Sequence, residues 1–249
     1  MAHNCTMLRL AMALSVVVAA WYLAYRLVRL PRVASAAAGT SLTYTTNFPL
    51  TEDPIWEHGR WVNGKKDGLD WANVRTTPGF AFGTEIGGIR PAIEKYDDSA
   101  ALLTGVWGPN QTAEAKVHRV NKDDDHVNQE VELRLRSTIT PHNATGYEVM
   151  FRCSKSPNAY CSIARWDGIL GAWMMLQDNK GSQYGVADGD VVKATIIGDT
   201  ITVYINGTQI AQTRDYLFTS GSPGIGYYLE GTTGIGNQCG FSSFTATSD

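Results

Sequence analysis

The sequence predicts an all-β fold, a two-sheet antiparallel β-sandwich preceded by an N-terminal hydrophobic helix, and three observations carry that expectation. Gly189 to Gln212 reads as three consecutive strands joined by two-residue turns. Gly198-Asp199 has the Gly-first form of a type II′ turn, and Asn206-Gly207 is a strong type I′ hairpin signal, which requires φ > 0 twice. Val127 to Ser137 alternates apolar and polar residues with the period of a half-buried strand. Glycine at 25 residues and aromatics at 10% suit many short strands and turns, and helical patterning is confined to the N-terminus.

The turns fix the register of the three-strand meander. Ile197 faces Thr200, Ile196 faces Ile201, Ala194 faces Val203 and Val192 faces Ile205, while the second turn sets Val203 opposite Ile210. One face is apolar; the other carries Lys193, Thr195, Thr202, Tyr204 and Gln209. A meander cannot bury its apolar face alone, so a second sheet must cover it.

Residues 1–40 form a leader and residues 41–249 a single domain. Leu8 to Tyr25 is nearly all apolar, flanked by Arg9 and by Arg26, Arg29 and Arg32, with Ala34-Ser35-Ala36 beyond. A signal peptide cut near that small-residue site would release the body, whereas an uncleaved signal anchor would tether it. Both readings predict a secreted or membrane-anchored protein whose body lies outside the cytoplasm and meets the membrane only through the leader. The leader holds four of the 21 basic residues and none of the 24 acidic ones, leaving 17 basic against 24 acidic in the body, a net charge of −7. A body this acidic, without basic runs, argues against a nucleic-acid partner.

Along the body, an edge strand is expected at Leu42 to Asn47, short strands near Arg60 to Val62 and Asp70 to Arg75, then loop. Strands follow at Ala100 to Trp107, Ala113 to Val120, Asn128 to Ser137, Gly146 to Ser154, Leu170 to Leu176, Ile225 to Leu229 and Phe241 to Thr247, besides the meander. In Val127 to Ser137, Val131, Leu133 and Leu135 point one way and Glu130, Glu132, Arg134 and Arg136 the other. Cys153 and Cys161 flank SKSPNAY, so a hairpin there would set them opposite one another as a disulfide and leave Cys239 over. That register would put Glu148 opposite Trp166 and Arg152 opposite Ser162.

The order of Phe48, Trp56 and Trp61, then VNQEVELRLR, YEVMFR, IARWDG, GDVVKATIIGDTITVYING, GSPGIGYY and GFSSFTAT, resembles the concanavalin A-like lectin/glucanase superfamily, close to laminin-G-like jelly rolls. The resemblance spans roughly Ser41 to Asp249 and implies a jelly-roll sandwich that meets a glycan or polysaccharide through its concave sheet or edge loops. Such folds host lectins, glycosidases and lyases, so activity must be argued from the site.

The leading expectation is an exported or tethered carbohydrate-recognition module. A sugar offers C–H patches to aromatic faces and hydroxyls to amides and charged groups, which singles out Trp166, Arg152, Trp107, Tyr204 and Gln209, with Tyr184 beside them. Trp166, before Asp167-Gly168, is expected at an exposed turn. The alternative is a glycoside hydrolase using Glu130 and Glu132, since carboxylates two apart on a strand share a face and a retaining enzyme needs its pair about 5 Å apart. The superfamily's glucanase pattern Glu-x-Asp-x-x-Glu is met only in part, with Glu132 at the Asp place and Leu135 at the last Glu place. An alternating Glu/Arg strand is equally what a solvated strand looks like. A laminin-G-like protein-adhesion domain is the third reading. A lyase would draw on Arg134, Arg136, Arg152, Tyr204 and His126, without a matching motif. No histidine pair has metal-ligand spacing and no cofactor motif is present; Asp123, Asp124 and Asp125 are the one cluster suited to Ca²⁺.

Overall fold

In the computed structural model of the protein, the residues described are 41–64, 71–87, 98–122, 129–140, 143–169, 171–229 and 234–249. The leader, Asp123 to Asp125, His126 and His142 lie outside them. No helix among the described residues is long and apolar enough to cross a membrane.

The strands are β1 (Leu42–Thr46), β2 (Trp61–Asn63), β3 (Val74–Thr77), β4 (Phe80–Gly83), β5 (Ile86–Gly87), β6 (Ser99–Leu103), β7 (Gln111–Arg119), β8 (Gln129–Thr140) and β9 (Asn143–Arg152). They continue with β10 (Tyr160–Ile169), β11 (Trp173–Lys180), β12 (Val191–Ile197), β13 (Thr200–Ile205), β14 (Thr208–Arg214), β15 (Ser222–Leu229), β16 (Gly234–Ile235) and β17 (Cys239–Ser248). One antiparallel sheet runs β14-β13-β12-β7-β17-β4-β3, with β1 also on β17; the other runs β11-β10-β9-β8-β15-β6-β2. A single core lies between them, built from Phe48, Trp61, Leu133, Tyr147, Phe151, Ile163, Ile201, Val203, Phe241 and Phe244 among others. Every strand expected from the sequence is present to within a few residues; the loop expected after β3 instead holds β4, which returns as a hairpin through Gly79.

The meander β12-β13-β14 keeps its first hairpin register, with Ile197 opposite Thr200 and Val192 opposite Ile205. Its inward residues Val192, Ala194, Ile196, Ile201 and Val203 are fully buried. The two turns adopt the predicted hand, with φ of 61° at Gly198, 51° at Asn206 and 78° at Gly207. The second hairpin differs by one residue. A bulge after Val203 puts Ala211 rather than Ile210 opposite it, while Tyr204 faces Gln209.

The β9–β10 hairpin corrects the cysteine expectation. Cys161 stands opposite Phe151, Ser162 opposite Met150 and Ala164 opposite Glu148, two residues from the register that would join Cys153 to Cys161. Cys153 instead bonds Cys239, and Cys161 is a free, buried thiol. Gln129 explains the pairing. Its carbonyl accepts from the Cys153 N–H at 2.9 Å and its side-chain oxygen from the Cys239 N–H at 2.6 Å, so one residue docks both cysteines. The disulfide thus joins the end of β9 in one sheet to the start of β17 in the other. Because side chains repeat every second residue, a slip of two preserves the faces, and Glu148 and Trp166 still share a side.

Candidate functional site

The site is built on β8, at the middle of its sheet between β9 and β15. Val131, Leu133 and Leu135 enter the core, which turns Glu130, Glu132 and Arg134 to the sheet's other face. That face is not solvated. Glu132 is wholly buried, and Glu130 and Arg134 nearly so, because Trp71, Ala100, Ala144 and Trp166 form a second apolar cluster over it. An ordinary wet strand is thereby excluded.

Neighbouring strands bring the partners. β9 sets Arg152 opposite Glu130, Met150 opposite Glu132 and Glu148 opposite Arg134. β15 sets Tyr228, Gly226 and Gly224 opposite the same three residues. Gly226 has a steric reason: a Cβ there would lie 2.1 Å from Glu132 Oε2, so only glycine leaves room for the carboxylate.

Arg134 is the hub. It donates to Glu132, contacts Glu148 Oε2 at 3.0 Å and reaches Asp98 Oδ2 at 3.9 Å. Its guanidinium also lies 5.3 Å from the Trp71 ring and 6.0 Å from the Trp166 ring. The two indoles meet edge to face at 4.8 Å, and Trp166 Nε1 donates to Glu148. Tyr160 donates its hydroxyl to Glu130, and the Arg152 guanidinium lies 5.9 Å from the Tyr160 ring. Glu132 Oε1 is buried and accepts no hydrogen bond from the described residues.

Asp98, Glu130, Glu132, Glu148, Met150, Ala164, Trp166, Trp173 and Tyr228 line a pocket of about 360 Å³. One carboxylate oxygen each from Asp98, Glu132 and Glu148 lies within 4.8 Å of the other two. This spacing would suit a hard cation, but Arg134 contacts all three and supplies the positive charge itself. Burial, then the charge of Glu148, raises the Glu132 and Asp98 carboxyls well above the ordinary carboxylate range. Burial alone would lower Arg134, yet the charges of Glu148, Glu132 and Asp98 outweigh it and raise it further above its already high value. Burial followed by the charge of Glu130 raises the Tyr160 phenol. The pocket therefore sets two carboxyls of raised proton affinity, Asp98 and Glu132, beside Glu148, which an arginine and an indole hold.

Of the residues expected to bind sugar, Trp166 lines this pocket. It is buried rather than exposed at a turn, because β10 continues through Asp167 and Gly168 to Ile169. Arg152 stands opposite Glu130 on β9, its guanidinium 5.9 Å from the Tyr160 ring, and is not among the residues that line the pocket. Trp107 lies elsewhere, buried in the core with its indole N–H on the Thr104 carbonyl at 3.1 Å, beside a shallower hollow of about 520 Å³. Tyr204 and Gln209 lie on the outer face of the other sheet, where Lys193 Nζ is 5.9 Å from the Tyr204 ring, and Tyr184 packs against the core. Arg136, grouped by alternation with Glu130 and Glu132, leaves them at a bulge and binds three loop carbonyls instead. Sequence reasoning gave no role to Asp98, Trp71, Trp173 or Tyr228. Glu148 did carry a signal, since alternation along β9 puts it on the polar face.

No family model matches the chain, and no curated protein does. Solved structures are similar at low identity. They include an endo-acting O-glycanase of the human gut microbiota named for mucin breakdown (TM-score 0.53, 10% identity, 83% of this chain and 98% of that one). A second is the kappa-carrageenase from Pseudoalteromonas carrageenovora in complex with a kappa-carrageenan oligotetrasaccharide (0.51, 8% identity, 88% and 99%). A third is a Bacillus licheniformis beta-glucanase (0.50, 10% identity, 85% and 99%). The fold is the concanavalin A-like jelly roll.

Proposed function

We propose that this protein recognises glycans through the pocket on the outer face of β8, β9 and β10, as an exported or membrane-tethered module. The observation that carries the reading is the convergence of Asp98, Glu130, Glu132 and Glu148 with the rings of Trp166, Trp173 and Tyr228 around a pocket of about 360 Å³. Carboxylates accept from sugar hydroxyls and the rings pack against C–H faces, and the volume falls at the lower end of ligand pockets, about 300–1,000 Å³. The glucanase, O-glycanase and carrageenase named above take ligands of the same chemical class, which agrees with the reading.

A second reading, glycoside hydrolysis, is favoured by the pairing of Glu132 with Glu148. The raised Glu132 would protonate the glycosidic oxygen while the Glu148 carboxylate, close beside it, attacks the anomeric carbon. Glu148 joins Glu130 as a candidate partner, because one of its carboxylate oxygens lies within 4.8 Å of one of Glu132.

A glycan array probed with the full chain, followed by reducing-sugar release on each hit, tests both. Binding that Trp173→Ala weakens by about tenfold, as loss of one sugar-facing ring would, supports recognition. Release abolished by Glu132→Gln and by Glu148→Gln would make the protein a hydrolase. Absence of binding to any glycan would overturn both readings.

A further inference from the structure

We propose that one end of the sandwich docks on a lipid bilayer, with the tips of four loops entering its interfacial layer. The inference does not depend on the glycan reading, since the pocket lies on the face of a sheet and not at this end.

Six large apolar side chains among the described residues are more than half exposed, and five of them, Val106, Ile169, Ile197, Tyr216 and Leu217, crown that end. They stand on the loop between β6 and β7, at the close of β10, before the β12–β13 turn and on the loop between β14 and β15. The sixth, Val120, lies at the opposite end, just beyond β7. Apolar residues scattered singly over a surface need no explanation, whereas a concentration at one end marks a binding surface.

The loops are fastened to one another. Arg136 donates to the carbonyls of Pro109, Gly198 and Phe218, the Asp215 N–H to the Asp199 carbonyl and the Gly198 N–H to Asn110 Oδ1, while Arg165 of β10 pairs with Asp215. The tips are therefore held outward as a set.

Three features favour a bilayer as the occupant. Asp167 and Asp215 are paired with Arg165, and Asp199 with Arg214, which mutes the charge beside the tips. Tyr216, at 84% exposure, is the kind of amphipathic ring that settles at headgroup level. β1 opens here too, with Leu42 opposite Ser248, so the apolar run from Leu8 to Tyr25 is joined to the body at this end. The body as a whole is acidic, so apolar contact and not attraction to anionic lipid would carry the docking.

Fluorescence quenching of the full chain by phosphatidylcholine vesicles with brominated acyl chains tests this. In a Cys5→Ser background, Val106→Cys and, separately, Thr208→Cys at the opposite end take an environment-sensitive label; Cys161 is buried and Cys153 and Cys239 are bonded to each other. Quenching at position 106 should exceed that at position 208 by at least about threefold, because docked apolar groups lie within about 5–10 Å of the acyl boundary. Tyr216→Ser with Leu217→Ser should remove about half or more of the quenching at position 106, since binding scales with buried apolar area. Equal quenching at both positions, none at position 106, or no effect of the paired serine substitutions would overturn the proposal. Self-association without vesicles that the same substitutions abolish would overturn it in favour of a second copy of this chain.

Discussion

Glu132 contributes to the fold in a way that depends on its proton. Its folded carboxyl sits above the ordinary value of 4.5, so the stability it lends is complete below that pH and is lost as pH rises through the folded value. Asp215 has the opposite sign. Burial would raise it, but the Leu217 N–H, the Tyr147 hydroxyl and Arg165 hold it below its ordinary value, so its contribution is lost in acid. Urea unfolding should therefore show wild-type stability falling from pH 5 to pH 8, and Glu132→Gln should flatten that fall. An equal slope in the variant would mean that Glu132 does not titrate in this range. The pair of glutamates was legible in the sequence because two positions on one strand must share a face. Their burial was not, since it depends on Trp71 and Trp166 arriving from distant segments, and Asp98 stands before an apolar strand with nothing to mark it.

Among the elements, β8 shows how much alternation can reveal and where it stops. Pattern alone sorted Val131, Leu133 and Leu135 from Glu130, Glu132 and Arg134, and the structure agrees. At Arg136 the rule fails, because the backbone turns to φ 46° and the register with β9 shifts between Leu135 and Thr138. No periodicity announces a bulge. The displaced guanidinium donates to the carbonyls of Pro109, Gly198 and Phe218 at 2.6, 2.7 and 2.9 Å, tying three loops to one strand. Arg136→Met leaves those acceptors without their charged donor and should cost about 3 kcal/mol or more in urea unfolding, given about 1.5–3 kcal/mol for one hydrogen bond to a charged group. A loss under about 1 kcal/mol would mean that water replaces the guanidinium at little cost. The meander offers the same lesson in miniature: turn chemistry specified its first hairpin throughout, while a bulge after Val203 shifted the second by one residue.

For the whole molecule, the two sheets share a core and, among the described residues, one covalent link, Cys153 to Cys239, across a sequence separation of 86. Closing so long a loop restricts the unfolded chain, a contribution of about 2–4 kcal/mol. Reduction, or Cys239→Ser, should lower the urea midpoint by a corresponding amount without altering the strand signal in circular dichroism; an unchanged midpoint would make the bond incidental. The sandwich itself was legible from turns and alternation. The link was not, because nearness in sequence favoured Cys161, whereas the two hydrogen bonds that Gln129 accepts, from the Cys153 and Cys239 N–H groups, tie the distant partner in place. The order in which the chain is made gives this a further consequence. Cys239 lies 86 residues beyond Cys153, so a chain made in an oxidising milieu holds Cys153 and Cys161 before the right thiol arrives. Any premature closure between them must be undone before β17 can be fastened, and thiol trapping of stalled chains would reveal it as a nine-residue ring.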